Sequence, residues 1–301
     1  MASRAQAHSL RVTLLGTGSP QPRLDRFGPS TLVEAGEEKL LFDCGRGAAQ
    51  RLFQLPVPFH QVTALFLTHL HSDHVVGIPD FWLTGWVYGR NDPLRIWGPA
   101  GTREMMAHLE KAFAFDIRIR RDVGKTTPPE GVRVVTTEIT EGVVYERNGV
   151  QVTAFLVDHA QVKPAFGFRV DYAGRSVVLS GDTRFSENLI RSATGADVVI
   201  HDVASPAAYR AIARARGLSS AQEQSILEHH ITPEQAGEVF ARVKPKLAVY
   251  SHLIPANAAA ADLIAPTRTT YSGPLEVGED LMVIEVGETV QVRRPTARGT
   301  P

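Results

Sequence analysis

The stretch Thr68-His69-Leu70-His71-Ser72-Asp73-His74 decides the fold of this chain. It follows the apolar run 62–67, which is short and rich in strand-forming residues, and a second apolar segment begins at Val75. This order predicts a buried strand, a loop and then a helix. Ser72 and Asp73 stand where a helix N-terminus favours a capping side chain.

Four side chains of this loop can bind metal. His69 and His71 can project to one side of the loop, while Asp73 and His74 turn to a second point. Neutral imidazoles and a carboxylate suit a borderline ion such as zinc, so one loop can serve two neighbouring ions. A polar surface loop is the alternative. The pattern His-x-His-x-Asp-His, directly after a buried strand, favours the metal site.

The same pattern resembles the metal-binding signature of the metallo-β-lactamase superfamily, and the resemblance extends along most of the chain. Leu-Leu-Gly-Thr-Gly-Ser-Pro at 14–20 looks like the opening strand and loop of the ribonuclease Z and arylsulfatase-like branch. The resemblance implies an α/β (α+β) protein, a four-layer αβ/βα sandwich with two β-sheets face to face and helices outside. We expect one domain over 1–301, with 1–9 as a flexible tail.

Four separate apolar strands each end on a histidine or an aspartate, at His69, His159, Asp182 and His252. Strands that end at one edge of a sandwich place such residues together, whatever their distance along the chain. The resemblance completes the metal set, with one zinc ion on His69, His71 and His159, a second on Asp73, His74 and His252, and Asp182 bridging them. Manganese or iron could use the same ligands. Water bound to zinc ionises near neutral pH and can attack phosphorus, sulfur or a carbonyl carbon.

Besides Asp73, two residues are predicted to be catalytic. His230-Ile231-Thr232 resembles the His-x-Thr element of the ribonuclease Z branch, whose histidine contacts the scissile group and acts as a general acid. Asp202 lies where the tRNA-processing enzymes carry a glutamate, and its shorter side chain is a candidate to orient His230. A surface histidine beside a helix-capping Thr232 is the alternative. We interpret His8, His60, His108 and His229 as surface residues.

Two departures from the tRNA-processing enzymes direct the functional prediction. Arg46 stands where those enzymes usually carry glutamate, and only 160–181 separate the third ligand histidine from the bridging aspartate, too few for an inserted tRNA-binding arm. Lys plus Arg total 32 and Asp plus Glu total 32, so no net positive charge attracts nucleic acid. The first prediction is therefore a dinuclear zinc hydrolase of small phosphate or sulfate esters, a phosphodiesterase or arylsulfatase-like enzyme.

Other functions remain open from the sequence. A tRNA 3′-processing endonuclease is the main alternative, and a lactonase or β-lactamase acting on carbonyl carbon is the next. A diiron redox protein fits less well because the flavo-diiron proteins typically carry glutamate in the motif. A metal-free binding protein fits least, since the whole ligand set is retained.

The remaining features of the sequence concern the location of the protein, its oligomeric state and two further segments. Cys44 is the only cysteine, and neither a signal peptide nor an apolar segment of membrane-spanning length is evident. We expect a cytoplasmic homodimer without membrane contact, although a signal peptide trimmed from the chain stays possible. The aromatic stretch 81–88 is predicted to pack in the core or a dimer interface, or else to line an apolar substrate site. The segment 115–150 is predicted to form strands and turns.

Overall fold

Two β-sheets packed face to face form the centre of the protein. The computed structural model describes residues 10–295, so the predicted tail at 1–9 lies outside the described residues. Within these residues, the first sheet has the spatial order β15 (Val290–Arg293), β14 (Val283–Val286), β1 (Leu10–Gly16), β2 (Ser30–Ala35), β3 (Glu38–Phe42), β4 (Ala64–Phe66), β5 (Leu94–Gly98), β6 (Val134–Glu138). The second has the order β13 (Leu275–Val277), β12 (Leu247–Ile254), β11 (Val198–Ala204), β10 (Arg175–Leu179), β9 (Phe166–Tyr172), β8 (Val150–Leu156), β7 (Gly142–Arg147).

Helices cover the outer faces of both sheets. In the described part of the chain they are α1 (Ala48–Phe53), α2 (Ser72–Val75), α3 (Ile78–Val87), α4 (Thr102–Ala112), α5 (Ala114–Arg118), α6 (Glu187–Ser192), α7 (Pro206–Ala215), α8 (Ser220–Leu227), α9 (Pro233–Val243) and α10 (Ala260–Thr267). None of the helices described is long and apolar enough to cross a membrane. The predicted four-layer sandwich is confirmed.

Strand alternation produces the three apolar layers of this sandwich. Successive side chains of a strand point to opposite faces. In β4, Phe66 joins the core between the sheets, whereas Leu65 packs outward against α1 and α3. In β11, Ile200 likewise faces the inner core and Val199 packs toward α6 and α9. Because both faces are covered, these strands read as continuous apolar runs.

The parallel part of each sheet positions the functional residues. Strands β3, β4, β5 and β6 pair in parallel, and so do β10, β11, β12 and β13. In open parallel sheets the loops at the carboxyl ends of the strands carry the ligand sites. The loop after β4 and the strands β10 to β12 deliver their polar residues at this edge.

Two helical segments depart from the predictions. The region predicted as strand and turn from 115 to 150 begins instead with α5 and a π-helical turn, Ile119–Val123, in which Arg120 pairs with Asp116 at 2.9 Å across one helical turn. Helix α8 was not predicted, because it buries no residue and shows no apolar stripe. The pair Ser219 and Gln222 that forms its capping box was the available signal.

Three large aromatic side chains of the stretch 81–88 pack in the core, whereas Tyr88 at its end is 64% exposed. Phe81, Trp82 and Trp86 have no exposed surface. The two indole N–H groups donate to the carbonyl oxygens of Val132 and Pro128, at 2.8 and 2.7 Å. The prediction of core packing is confirmed. The alternative of a substrate lining is wrong for these three residues, because they have no exposed surface that a substrate could contact.

Candidate metal centre and active site

The fold gathers the predicted metal ligands at one point. Three groups of side chains each place their ligand atoms within 4.8 Å of one another. The first group is His69, His71, His159 and Asp182, the second is Asp73, His74 and His252, and the third, which overlaps them, is Asp182, His230 and His252. The first two groups match the two sets that the resemblance implies, with Asp182 beside both.

Asp182 lies at the centre of the cluster. Its Oδ2 is 3.3 Å from His74 Nε2 and 3.4 Å from His252 Nε2. The same oxygen lies 3.9 Å from the Nε2 atoms of both His69 and His159. One carboxylate therefore faces imidazoles of both groups, which is the position that a bridging ligand requires.

The loop after β4 is held in a conformation that differs from the predicted cap. His71, not Ser72 or Asp73, is the N-cap residue of α2, and no side chain caps that helix. The carboxylate of Asp73 instead lies 3.2 Å from His252 Nε2. The capping prediction was wrong, because the Asp73 carboxylate contacts the buried His252 ring and not the backbone N–H groups of α2.

A second carboxylate, Asp43, orients the loop from behind, and the sequence reading missed it. Asp43 Oδ2 lies 2.8 Å from His74 Nδ1 and accepts from Thr68 Oγ1 at 2.8 Å, and its Oδ1 accepts from Thr68 N at 2.9 Å. Thr68 Oγ1 in turn lies 3.0 Å from His69 Nδ1. Partners of this kind fix the ring orientation of metal-binding histidines. The sequence signal that could have identified Asp43 is its position directly after β3, which pairs in parallel with β4.

Burial and neighbouring charges set the protonation of the cluster. Burial lowers the pKa of His159 to about 4. Burial would raise the pKa of Asp73, but the hydrogen bond from His252 and the nearby His74 lower it to about 2. Burial also opposes ionisation of Asp182, yet His252 and His74 hold its pKa well below the ordinary value. Ionised carboxylates are the form that a cation binds.

The residues fit a metal ion. Among residues 10–295, His69 Nε2, His74 Nε2 and Asp182 Oδ1 are buried polar atoms without a hydrogen-bond partner. Buried polar groups without partners are rare in folded proteins, because each costs about 1–3 kcal/mol. These three atoms all belong to the cluster, and a cation at its centre would satisfy them.

His230 and Asp202 form a pair beside the cluster. Asp202 Oδ2 lies 2.9 Å from His230 Nδ1, and its Oδ1 lies 3.0 Å from His201 Nδ1. Burial opposes ionisation of Asp202, but these two histidines lower its pKa. His230 Nδ1 is 4.0 Å from Asp182 Oδ2. The short aspartate side chain thus reaches His230, because β11 ends directly beneath it.

A cavity of about 590 Å³ opens over the cluster. On one side lie the metal-binding residues and His230, and on the other lie the loop 19–22 and side chains of α7 and α8. His229, predicted to be a surface residue, is half-buried and lines this cavity, and its carbonyl oxygen is 2.9 Å from His159 Nδ1. His60 and His108 are exposed as predicted, and His8 lies outside the described residues.

The loop 19–22 is anchored by a buried carboxylate near the C-terminus. Asp280 Oδ1 accepts from Thr17 N at 2.9 Å and from Thr17 Oγ1 at 2.8 Å. Its Oδ2 accepts from Phe27 N at 2.8 Å and from Arg51 Nε at 3.1 Å. Asp280 therefore ties both ends of the loop to the first sheet.

Comparisons with known proteins agree with this geometry. Residues 38–253 match the family described as Beta-lactamase superfamily domain. A ribonuclease Z of Mycolicibacterium gilvum (strain PYR-GCK) is 39% identical over 284 residues, which cover 92% of this chain and 96% of the relative. The chain belongs to the metallo-β-lactamase superfamily, in its ribonuclease Z branch. A ribonuclease Z of Mycobacterium bovis (strain BCG / Pasteur 1173P2) is also 39% identical, over 92% of this chain and 98% of that one.

Solved structures show the same metallo-β-lactamase fold. The fold protein YhfI from Bacillus subtilis superposes with a TM-score of 0.70 at 18% identity, covering 92% of this chain and 99% of that chain. The short form of human tRNase Z superposes with a TM-score of 0.68 at 24% identity, with the same coverage. Membership of the superfamily makes the chain a metal-dependent hydrolase. The relatives support the tRNA-processing alternative better than the small phosphate or sulfate esters that the sequence placed first.

Proposed function

We propose that this protein is a zinc-dependent endonuclease that cleaves the phosphodiester bond at the 3′ end of precursor tRNA. The observation that carries the proposal is the pair formed by His230 and Asp202 beside the seven-residue cluster, in a chain that matches proteins named ribonuclease Z along nearly its whole length. The other parts of the proposal are two zinc ions per chain, a homodimer and a cytoplasmic location.

The metal ligands would be the first two groups described above, with Asp182 between them. Bound zinc supplies a nucleophile, because it lowers the pKa of water to about 7. The chain's own residues supply the rest. Asp73 Oδ2 lies 3.2 Å from His252 Nε2, and the same nitrogen lies 3.4 Å from Asp182 Oδ2, so these three side chains would converge on one bound ion.

His230 is proposed to protonate the leaving oxygen. Its Nδ1 is held by Asp202, which leaves Nε2 as the nitrogen that can give a proton to substrate. The buried carboxylate stabilises the charged imidazolium from which the proton is donated. When the proton leaves from Nε2, the hydrogen bond to Asp202 keeps the neutral ring in place.

The test is cleavage of a precursor tRNA with a 3′ trailer by the purified, metal-loaded protein. The expected products are a tRNA ending in a 3′-hydroxyl group and a trailer beginning with a 5′-phosphate, since protonation of the 3′-oxygen releases it. Asp182→Ala serves as the inactive control. An intact precursor under conditions where a small nitrophenyl phosphodiester is hydrolysed would contradict the proposal.

A second candidate, a phosphodiesterase of small esters, is favoured by one observation. The segment between His159 and Asp182 folds into the hairpin of β9 and β10, with no protruding arm among the described residues. A long insertion that could grip tRNA is thus missing from that place. The precursor assay above separates the two candidates, because only the endonuclease cleaves the RNA.

A further inference from the structure

We propose that the cavity over the metal centre contains a subsite for one unstacked nucleobase, next to the phosphate that is cleaved. The inference rests on the proposed function for its substrate, an RNA, and adds where that RNA is held. Besides the cluster, side chains of α7 and α8 and of the loop 19–22 line this cavity.

The periodicity of α7 gives this helix two different faces. Tyr209, Ile212 and Arg216 are spaced three and four residues apart and line the cavity that also contains His71 and His230. Arg210 and Arg214 are four residues apart on the other face and line a neighbouring surface cavity. One helix therefore presents a largely apolar stripe to the metal centre and its other charges to solvent.

The apolar stripe continues into neighbouring elements. Ile226 of α8 and the loop residues Pro20 and Pro22 line the same cavity. Ile226 keeps 36% of its surface exposed and Ile212 is half-buried, so both side chains retain apolar surface that a ligand can contact. Hydrolysis of a phosphate needs charged and polar groups only. An apolar cleft directly beside them fits a flat, uncharged ring attached to the phosphate.

The size of the cavity agrees with a single nucleotide. At about 590 Å³ it falls within the range of small-ligand sites, about 300–1,000 Å³, and is too small for a double helix. Proteins recognise single-stranded RNA by splaying out bases and stacking them on side chains. The 3′ end of a tRNA is single-stranded, so one of its bases can enter such a cleft.

Arg216 supplies a cation at this subsite. Within residues 10–295 its guanidinium makes no hydrogen bond or ion pair, whereas Arg210 of the other face pairs with Glu223 at 3.1 Å. A free guanidinium can stack on a base and attract the phosphates that flank it. Gln21 of the loop offers an amide to the edge of the base. The subsite thus has flat apolar walls, one cation and one polar group.

The test compares two inhibitors that differ only in the base. Adenosine 5′-monophosphate and ribose 5-phosphate should both compete with hydrolysis of bis(4-nitrophenyl) phosphate by the metal-loaded protein. Stacking of one base contributes about 1–3 kcal/mol, so the ratio of inhibition constants, sugar phosphate over nucleotide, should be about 5 to 150. A ratio near one in the natural protein would overturn the inference.

Variants then place the base. In Ile212→Ser/Ile226→Ser the ratio should fall toward one, while Val143→Ser, an exposed apolar residue of β7, should keep it. An unchanged ratio in the double variant, or an equal fall in the control, would overturn the assignment. If the double variant does not fold, Ile226→Ser alone gives the same comparison, because Ile226 is exposed. A high ratio together with an intact precursor tRNA would leave the subsite standing and reject the proposed function, so the two failures are distinguishable.

Discussion

The two walls of the cavity differ in how firmly the fold holds them. On the metal side, His69, His74 and Asp182 are almost completely buried, and Asp43 bonds to the loop that carries the first two. On the other side, α8 buries none of its residues, and α7 buries only Tyr209 and Ala213. Positions that must be accurate to a fraction of an ångström are built on buried strand ends, whereas the residues that select a substrate lie on an exposed, lightly packed pair of helices.

Loss of the Asp182 carboxylate should have the largest effect, because it removes the side chain that lies between the two groups of predicted ligands. In Asp182→Ala we expect lower metal content at both positions and a fall in turnover of roughly 1,000-fold or more, because metal stabilisation of several kcal/mol is lost. Elemental analysis and turnover of the same sample measure both effects. Asp158→Ala is the matched control, since Asp158 is a neighbour of His159 in sequence but pairs with Arg184, outside the cluster. Two tightly held ions in Asp182→Ala would show that this carboxylate bridges nothing.

The residue between the two walls, His230, should affect turnover without affecting metal. His230→Ala should lose ~100- to 10,000-fold on RNA, the usual contribution of a general acid, with metal content retained. The loss should be far smaller with a nitrophenyl phosphodiester, because nitrophenolate leaves without a proton. His108→Ala, in the exposed part of α4, is the control. Equal losses with both substrates would rule out proton donation to the leaving group.

A change at Asp280, which anchors the loop 19–22, should affect both substrate affinity and the stability of the fold. In Asp280→Asn an amide N–H group replaces the carboxylate oxygen that accepts from Phe27 N and Arg51 Nε. These two donors then lose their acceptor and lie against another donor. We expect a loss of about 1–3 kcal/mol in the free energy of unfolding and a higher KM, since the loop 19–22 loses its anchor. Denaturant unfolding and steady-state kinetics measure these effects.

Asp116→Asn is the control for that experiment, because the exposed pair of Asp116 with Arg120 should contribute less than about 1 kcal/mol. A normal KM in a destabilised Asp280→Asn would mean that the loop does not shape the substrate site.

The smallest effects should come from two helix-capping residues, one on a helix packed against the second sheet and one on an exposed helix over the cavity. Thr232 caps α9, which packs on the second sheet, and Ser219 caps the exposed α8. Thr232→Ala should lower the free energy of unfolding by about 1 kcal/mol. Ser219→Ala should leave global unfolding unchanged and speed hydrogen exchange only within α8, because that helix can open locally. Equal global losses would show that both walls unfold as one unit.

The sequence predicted the metal wall far better than the opposite one, for a physical reason. His69, His159 and Asp182 follow apolar runs, and strands that end at one edge of the sandwich bring such residues together without knowledge of any loop. Asp43 was missed because one aspartate after a strand is also a common turn residue. The sandwich was implied by the family resemblance, and for the aromatic stretch only the structure decides between core packing and a substrate lining.

The substrate wall left weaker signals. Helix α7 buries only Tyr209 and Ala213, its partner α8 has no apolar stripe, and the position of both over the cavity depends on tertiary packing. His229 looked like a surface residue, since nothing in the sequence shows that its backbone carbonyl contacts His159. The preference for small sulfate or phosphate esters rested on Arg46, which is exposed, and on a missing insertion.

The chain leaves the sandwich before α7 and returns after α8 at almost the same point. Ala204 N donates to Ile231 O at 2.8 Å, so a backbone hydrogen bond closes the base of this excursion, and Ser205 N donates to Ile254 O of β12 at 2.7 Å. Doubling the length of such a closed loop adds only about 0.6 kcal/mol to its closure entropy. A shorter or longer segment in place of 206–228 should therefore leave the strands that carry the histidine and aspartate cluster as they are, so this segment can vary in length independently of the sandwich.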